Sequence, residues 1–134
     1  MRVLMLGLAL GVAGCAETPK QTAARIQSED KTRAALDREL AGLVPGAPQS
    51  CIQSYDRRDS KAFGETIVYS GGPGGVRYVT QAPGCRGVGN DSILVTQTPT
   101  TQLCRGDIAT TIDRTSRIQT GSCAFGDFIP YRRK

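Results

Sequence analysis

The spacing of the cysteines constrains the fold of this chain more than any other feature of its sequence. Four of its five cysteines, Cys51, Cys85, Cys104 and Cys123, lie 34, 19 and 19 residues apart. Zinc sites generally use cysteines two to four residues apart, and a redox pair would need a Cys-x-x-Cys motif, so neither chemistry is favoured. An even number of widely spaced cysteines in an exported chain predicts two structural disulfides.

The start of the chain indicates export and accounts for the fifth cysteine. Met1-Arg2 precedes an apolar run, Val3 to Val12, that is long enough for a signal peptide and too short to cross a bilayer. The run ends in Val12-Ala13-Gly14-Cys15, which resembles a bacterial lipobox, because small residues before the cysteine admit the signal peptidase. The alternative is an ordinary secretory signal followed by a chance cysteine.

The lipobox interpretation fixes the location and the first segments of the protein. We predict a lipoprotein signal peptide at 1–14 and a lipidated tether at 15–20, with acyl chains on Cys15 anchoring the protein to the membrane. Ala16 stands where an Asp would resemble the signal for inner-membrane retention. The expected location is therefore the outer membrane, with the protein facing the periplasm.

A helix is predicted to follow the tether, at 21–44. This stretch is rich in good helix formers, and Leu36, Leu40 and Leu43 are spaced to form one apolar stripe. Thr18 or Thr22 is a candidate N-cap, and Pro45-Gly46 is expected to end the helix. The front half contains Ile26 as its single large apolar residue, so this half is either a solvated stalk or part of a helix that caps the domain along its whole length.

The remainder, 50–131, has the pattern of a small β-domain. The β-rich segments Thr66–Ser70 and Val76–Thr80 flank the sequence Gly-Gly-Pro-Gly-Gly and predict a hairpin. Alternation from Asp107 to Asp113 predicts a half-buried strand. We expect a mainly β fold: a small antiparallel barrel or sandwich of five to seven short strands, preceded by one N-terminal helix.

The four widely spaced cysteines allow three disulfide connectivities, and the sequence does not choose among them. The favoured pairing is Cys85–Cys104, which would close a loop over Ile93 to Val95, with Cys51–Cys123 clamping the start of the β-domain to its last strand. A β-core of this size with three Phe and four Tyr buries little apolar surface, so it is expected to need covalent staples.

Composition excludes several classes of function. The chain contains no histidine, which removes Ser-His-Asp triads and imidazole metal sites, and we expect neither a metal nor a cofactor. The formal charge is +5, and aromatic residues make up 5% of the chain, so nucleic-acid binding is disfavoured. The longest basic run is the tail at 132–134, Arg132-Arg133-Lys134, which is either solvated or a surface contact for anionic lipid or polysaccharide.

Two further motifs have a structural and a functional interpretation. Arg105-Gly106-Asp107 matches an integrin-type tripeptide, but Gly106 is better explained by a turn before the next strand. Four acidic residues fall in predicted loops and could supply a general acid and base if the fold brought two together: Asp56, Asp59, Asp91 and Asp127.

From Cys51 onward the chain resembles a family of short, uncharacterised Gram-negative envelope lipoproteins with four paired cysteines. The resemblance rests on five pieces: Cys51-Ile52, the hairpin from Thr66 to Tyr78, Gly84 to Gly87, Leu103 to Ile108, and Gly121 to Tyr131. It covers about 80 residues and includes all four candidate disulfide cysteines. The family is a domain of unknown function, so the resemblance assigns no catalytic residue.

Two hypotheses about function remain. The first is a non-enzymatic binding or structural module of the cell envelope, with an envelope protein, polysaccharide or lipid as partner; an inhibitor of a periplasmic enzyme is one form of it. The second is a small hydrolase or lyase that uses the loop carboxylates. Two paired carboxylates in a cleft would favour the enzyme, whereas an exposed apolar patch would favour the binding module.

Overall fold

The computed structural model describes residues 17–134, which contain one α-helix, two short 3-10 helices and ten strands. The elements in chain order are α1 (Pro19–Glu39), β1 (Leu43–Pro45), β2 (Cys51–Ile52), β3 (Arg57–Phe63), β4 (Thr66–Gly71), β5 (Arg77–Gln81), β6 (Ser92–Gln97), β7 (Leu103–Cys104), β8 (Ile108–Asp113), β9 (Gln119–Ala124) and β10 (Ile129–Arg133). The mainly β fold with an N-terminal helix is confirmed. Within residues 17–134 the strands form three antiparallel sheets and do not close into a barrel.

Helix α1 begins at a capping box and ends earlier than the sequence predicts. The Thr18 hydroxyl accepts from the Gln21 backbone N–H, the Gln21 side chain accepts from the Thr18 backbone, and Pro19 occupies the first turn. The helix stops at Glu39, not at residue 44, because Gly42 adopts a left-handed φ of 75° and Leu43 enters β1, which pairs with β10. The helix begins at Pro19, inside the stretch 15–20 that the sequence predicts as a lipidated tether, and residues 15 and 16 of that stretch lie outside the described part of the chain.

The C-terminal half of α1 lies on the large sheet, whose strand order is β1-β10-β5-β4-β3. The Glu39 carboxylate bonds Lys61 of β3 at 2.8 Å and Arg77 of β5 at 2.7 Å. Residues 23–31 of the helix are all exposed. The helix is therefore docked at its C-terminal end and solvated in its front half. Of the two alternatives that the sequence left open, the stalk describes the front half and the cap describes the back half.

The predicted hairpin is confirmed as β4 and β5, and the remaining strands form two smaller sheets. One sheet has the order β6-β8-β9, and the other pairs β2 with β7. The loop after β5 joins the large sheet to β9: Gly126 N–H donates to the Gln81 carbonyl at 2.8 Å, and Gly84 lies so close that a Cβ there would meet the Ser122 carbonyl oxygen at 2.5 Å. The core between the sheets includes an aromatic cluster with ring centroids 6.1–6.3 Å apart: Tyr69, Phe125 and Phe128.

Both disulfides are present, but the predicted pairing is wrong. The structure joins Cys51 to Cys104 and Cys85 to Cys123, not Cys85 to Cys104 and Cys51 to Cys123. The reason is strand order. Antiparallel pairing of β2 with β7 places Cys51 directly opposite Cys104. The loop after β5 runs beside β9 and brings Cys85 to Cys123.

Candidate functional site

The outer face of the β6-β8-β9 sheet is uncharged and rich in isoleucine. On β8 the small residues Ala109 and Thr111 point into the core, whereas Ile108 points outward and is 51% exposed. Strand alternation and register place the following side chains on the same face: Ile93, Val95 and Gln97 of β6, Ile108, Thr110 and Ile112 of β8, and Gln119, Ser122 and Ala124 of β9. We call these nine residues the outer face.

The inward position of small residues on β8 has a packing reason. The Cys85 sulfur lies 3.8 Å from the Ala109 carbonyl oxygen, and the Thr120 hydroxyl bonds the Thr111 hydroxyl at 3.1 Å. The disulfide and this hydroxyl pair fill the space beneath the strand, so the larger isoleucines face outward. The sequence predicted a half-buried strand here, and the structure confirms it while showing that its isoleucines lie on the solvent side.

The outer face presents a mixed surface of apolar and uncharged polar side chains. Three strands about 4.8 Å apart and six residues long give the whole face a footprint of roughly 300 Å². Its exposed large apolar side chains are Ile93 and Ile108. Ile118, which is 65% exposed, lies just before β9 and adds apolar surface at this end of the sheet.

The structure does not pair the four carboxylates that the sequence offered as an acid–base site. Asp56 is buried and accepts from the Gln53 N–H at 3.1 Å, and Asp127 bonds Arg105 at 3.1 Å. Among residues 17–134, Asp59 and Asp91 make no side-chain hydrogen bond, and no three His, Cys, Asp or Glu side chains lie close enough to hold a metal ion. Asp56 and Asp127 therefore make structural hydrogen bonds.

The tripeptide Arg105-Gly106-Asp107 serves a turn, as its structural interpretation predicted. Gly106 has a φ of 87°, in the left-handed region that favours glycine. The Asp107 carboxylate accepts from the Cys104 N–H at 2.8 Å, which closes the turn between β7 and β8. Both features hold the start of β8 in place.

The basic C-terminus is mostly strand. Arg132 and Arg133 belong to β10 and lie opposite Val44 and Leu43 of β1, so the predicted tail at 132–134 is reduced to Lys134. Arg133 and Arg77 line one groove of about 480 Å³ beside the glycine loop after β4. Arg77 is already paired with Glu39, which leaves Arg133 as the unpaired arginine of that groove.

Two buried polar atoms, the Tyr69 hydroxyl and the Arg57 Nε, lack hydrogen-bond partners among the described residues, and sequence analysis did not identify them. Tyr69 is 4% exposed, and neither its hydroxyl nor the Arg57 Nε makes a hydrogen bond to a described residue. Burial raises the pKa of Tyr69 to about 12, and the nearby Arg57 charge and Thr96 hydroxyl act against that rise. No sequence signal identifies such a site, because β3, β4 and β6 meet only in the folded molecule.

The predicted lipidation site, Cys15, lies outside the described residues. Across residues 17–134 the structure contains no helix both long and apolar enough to span a membrane. Comparison with protein-family models, curated proteins and solved structures finds no match to this chain. The family resemblance and the envelope location therefore stay predictions.

Proposed function

We propose that this protein is an outer-membrane-anchored lipoprotein whose β-domain is a non-enzymatic binding module of the cell envelope. The observation that carries the proposal is the outer face, an uncharged surface with Ile108 exposed on its central strand and Ile93 exposed on its edge strand. Such a face costs little to desolvate, because it has no ionised group to strip of water. The lipobox at Val12 to Cys15 supports the anchor.

The face fits a protein partner better than a sugar chain. Polysaccharide sites use aromatic side chains as stacking platforms, and none of the nine residues of the outer face is aromatic. Branched aliphatic and threonine side chains instead offer the close packing that the centre of a protein interface requires. The partner is accordingly an envelope protein with an apolar contact patch, and inhibition of a periplasmic enzyme is one form that such binding takes.

Site-specific photo-crosslinking in intact cells tests the binding proposal. A photoreactive side chain at Ile108, on the outer face, should crosslink a discrete protein. The matched control is Tyr55, which is 47% exposed, close to the 51% of Ile108, but lies outside that face. Capture from residue 108 alone supports the proposal; equal capture from both positions, or none from residue 108, contradicts it.

Mass spectrometry of the protein from the membrane fraction tests the anchor. The expected N-terminal peptide begins at Cys15 and carries the added mass of the acyl chains. The Cys15→Ser variant should lack the added acyl mass and should be missing from the outer-membrane fraction, because no residue remains to carry the lipid. An intact bond between Gly14 and Cys15 in the exported protein, or an unmodified Cys15 thiol, would end the lipoprotein interpretation.

A further inference from the structure

Strand β3 is an edge of the large sheet and β6 is an edge of the three-stranded sheet, and the structure brings parts of the two sheets near each other at two places. At one end, Tyr69 lies near both Arg57, the first residue of β3, and Thr96 of β6. At the other end, the last residues of β3 and the loop before β6 line one groove of about 500 Å³. No backbone hydrogen bond joins the two strands within residues 17–134. We call the space between β3 and β6 the seam.

The register of the sheet shows which backbone groups of β6 point into the seam. The Asp113 N–H at the end of β8 donates to the Ile118 carbonyl, so the backbone of Asp113 points toward β9. Backbone groups along a strand point to alternate sides, so those of Ile108, Thr110 and Ile112 point the other way and bond β6. Their partners on β6 are Ile93, Val95 and Gln97. The backbone groups of Leu94 and Thr96 consequently face away from β8 and have no partner strand.

Two other edges among the described residues, those of β9 and β3, are covered or charged, whereas the edge of β6 is neither. The edge of β9 is approached by the loop at Gly84 and tied to it by the disulfide. Strand β3 carries charged residues and a bulge between Arg57 and Asp59, both common protections against pairing with another chain. Strand β6, with the sequence Ser-Ile-Leu-Val-Thr-Gln, has neither a charge nor a proline.

Charge indicates what kind of strand the seam accepts. The Arg57 Nε is buried and unpartnered at one end. Lys31 of α1 lines the groove at the other end, makes no ion pair with a described residue, and has no Asp or Glu among its neighbours in that lining. A six-residue strand spans about 20 Å, so a carboxylate near each end of an extended segment would meet one cation each.

We propose that the seam binds an extended segment of a partner protein with an acidic side chain near each end, which adds a strand to the open edge of β6. The backbone of that segment would pair with Leu94 and Thr96, as in other cases of β-strand addition. The proposal rests on the binding function but uses a different surface from the outer face. If no peptide bound at the seam, crosslinking from Ile108 would still test the outer face. If crosslinking from Ile108 failed, peptide binding would still test the seam.

A synthetic peptide of alternating threonine and valine with a glutamate at each end is the probe. Titrated into the purified protein without its leader, it should bind at micromolar to sub-millimolar concentration and slow amide exchange at Leu94 and Thr96. Amides of Ile93 and Val95 should already be protected without the peptide, because they bond β8. The same peptide with lysine at both ends should bind at least about tenfold more weakly.

Charge reversal on α1 provides a matched pair of variants that leaves the core untouched. Lys31→Glu should weaken binding of the acidic peptide about threefold or more, whereas Lys20→Glu, on the same helix but outside the groove, should not. Equal binding of both peptides, unchanged exchange at Leu94 and Thr96, or an equal effect of both variants would overturn the proposal. Self-association that protects the same two amides would assign the seam to a second copy instead and would equally overturn it.

Discussion

Glu39 connects the helix to two strands of the large sheet. Its side chain is 16% exposed and bonds Lys61 and Arg77 at 2.8 and 2.7 Å, and the Arg77 guanidinium also donates to the Glu39 backbone carbonyl. Hydrogen bonds from Lys61 and Arg77 lower the pKa of Glu39 below its ordinary value of 4.5. Two cations from two strands of the large sheet therefore depend on one carboxylate of the helix.

The Glu39→Gln variant should lower the free energy of unfolding by roughly 1 kcal/mol at pH 7, since it replaces charge-assisted hydrogen bonds with neutral ones. Because the pKa is lowered in the folded state, the contribution is complete above pH 4.5 and is lost as the pH falls through the folded pKa. Urea unfolding at a series of pH values from 7 downward measures this, and the difference between the two proteins should begin to shrink below pH 4.5 and keep shrinking as the pH falls.

The control for this residue is Glu29→Gln. Glu29 bonds Arg25 at 2.9 Å, but both side chains are more than half exposed on the solvated half of the helix. Exposed pairs contribute little, so the variant should unfold like the wild type within about 0.5 kcal/mol. If Glu29→Gln lowered the free energy of unfolding as much as Glu39→Gln does, the docked end of the helix would not be the part that stabilises the protein.

At the scale of elements, local pattern determined some features of the fold and tertiary pairing determined others. The β4–β5 hairpin was predictable because its glycine-rich turn and β-branched flanks are local signals. The end of α1 was not, because Leu40 and Leu43 continue a helical stripe and only pairing with β10 draws Leu43 into β1. The open edge of β6 was likewise hidden, since its sequence fits a paired strand as well as an unpaired one.

The solvated front of α1 gives a prediction specific to that element. Thr18→Ala removes the capping hydroxyl, worth about 1 kcal/mol, from a turn that does not pack on the β-domain. Amide exchange in the first turn should therefore accelerate about fivefold, while the urea midpoint of the β-domain stays unchanged. Thr18→Ser keeps the hydroxyl and should exchange like the wild type. A shifted midpoint in Thr18→Ala would show that the front half is docked after all.

At the scale of the whole molecule, one disulfide joins the paired strands β2 and β7 and the other joins the loop after β5 to β9, and sequence spacing could not reveal this connectivity. Spacing gives loop lengths but not which strands become neighbours, and the observed loops of 53 and 38 residues are both compatible with stable bridges. Closing either loop stabilises the folded protein by about 4 kcal/mol, so loop length does not make one disulfide more stabilising than the other. Their surroundings do: Cys85 and Cys123 are buried, whereas Cys51 and Cys104 are half-buried.

This difference in exposure predicts the order in which the bonds are reduced. A thiol or phosphine must reach a sulfur atom to attack it, so Cys51–Cys104 should be reduced first in the native protein. Alkylation and peptide mapping after brief treatment should then find label on Cys51 and Cys104 while Cys85 remains linked to Cys123. Only unfolding should release the second bond, because Cys85 is fully buried in the core. Simultaneous labelling of all four cysteines, or a peptide linking Cys85 to Cys104, would contradict the packing of the sheets around that bond.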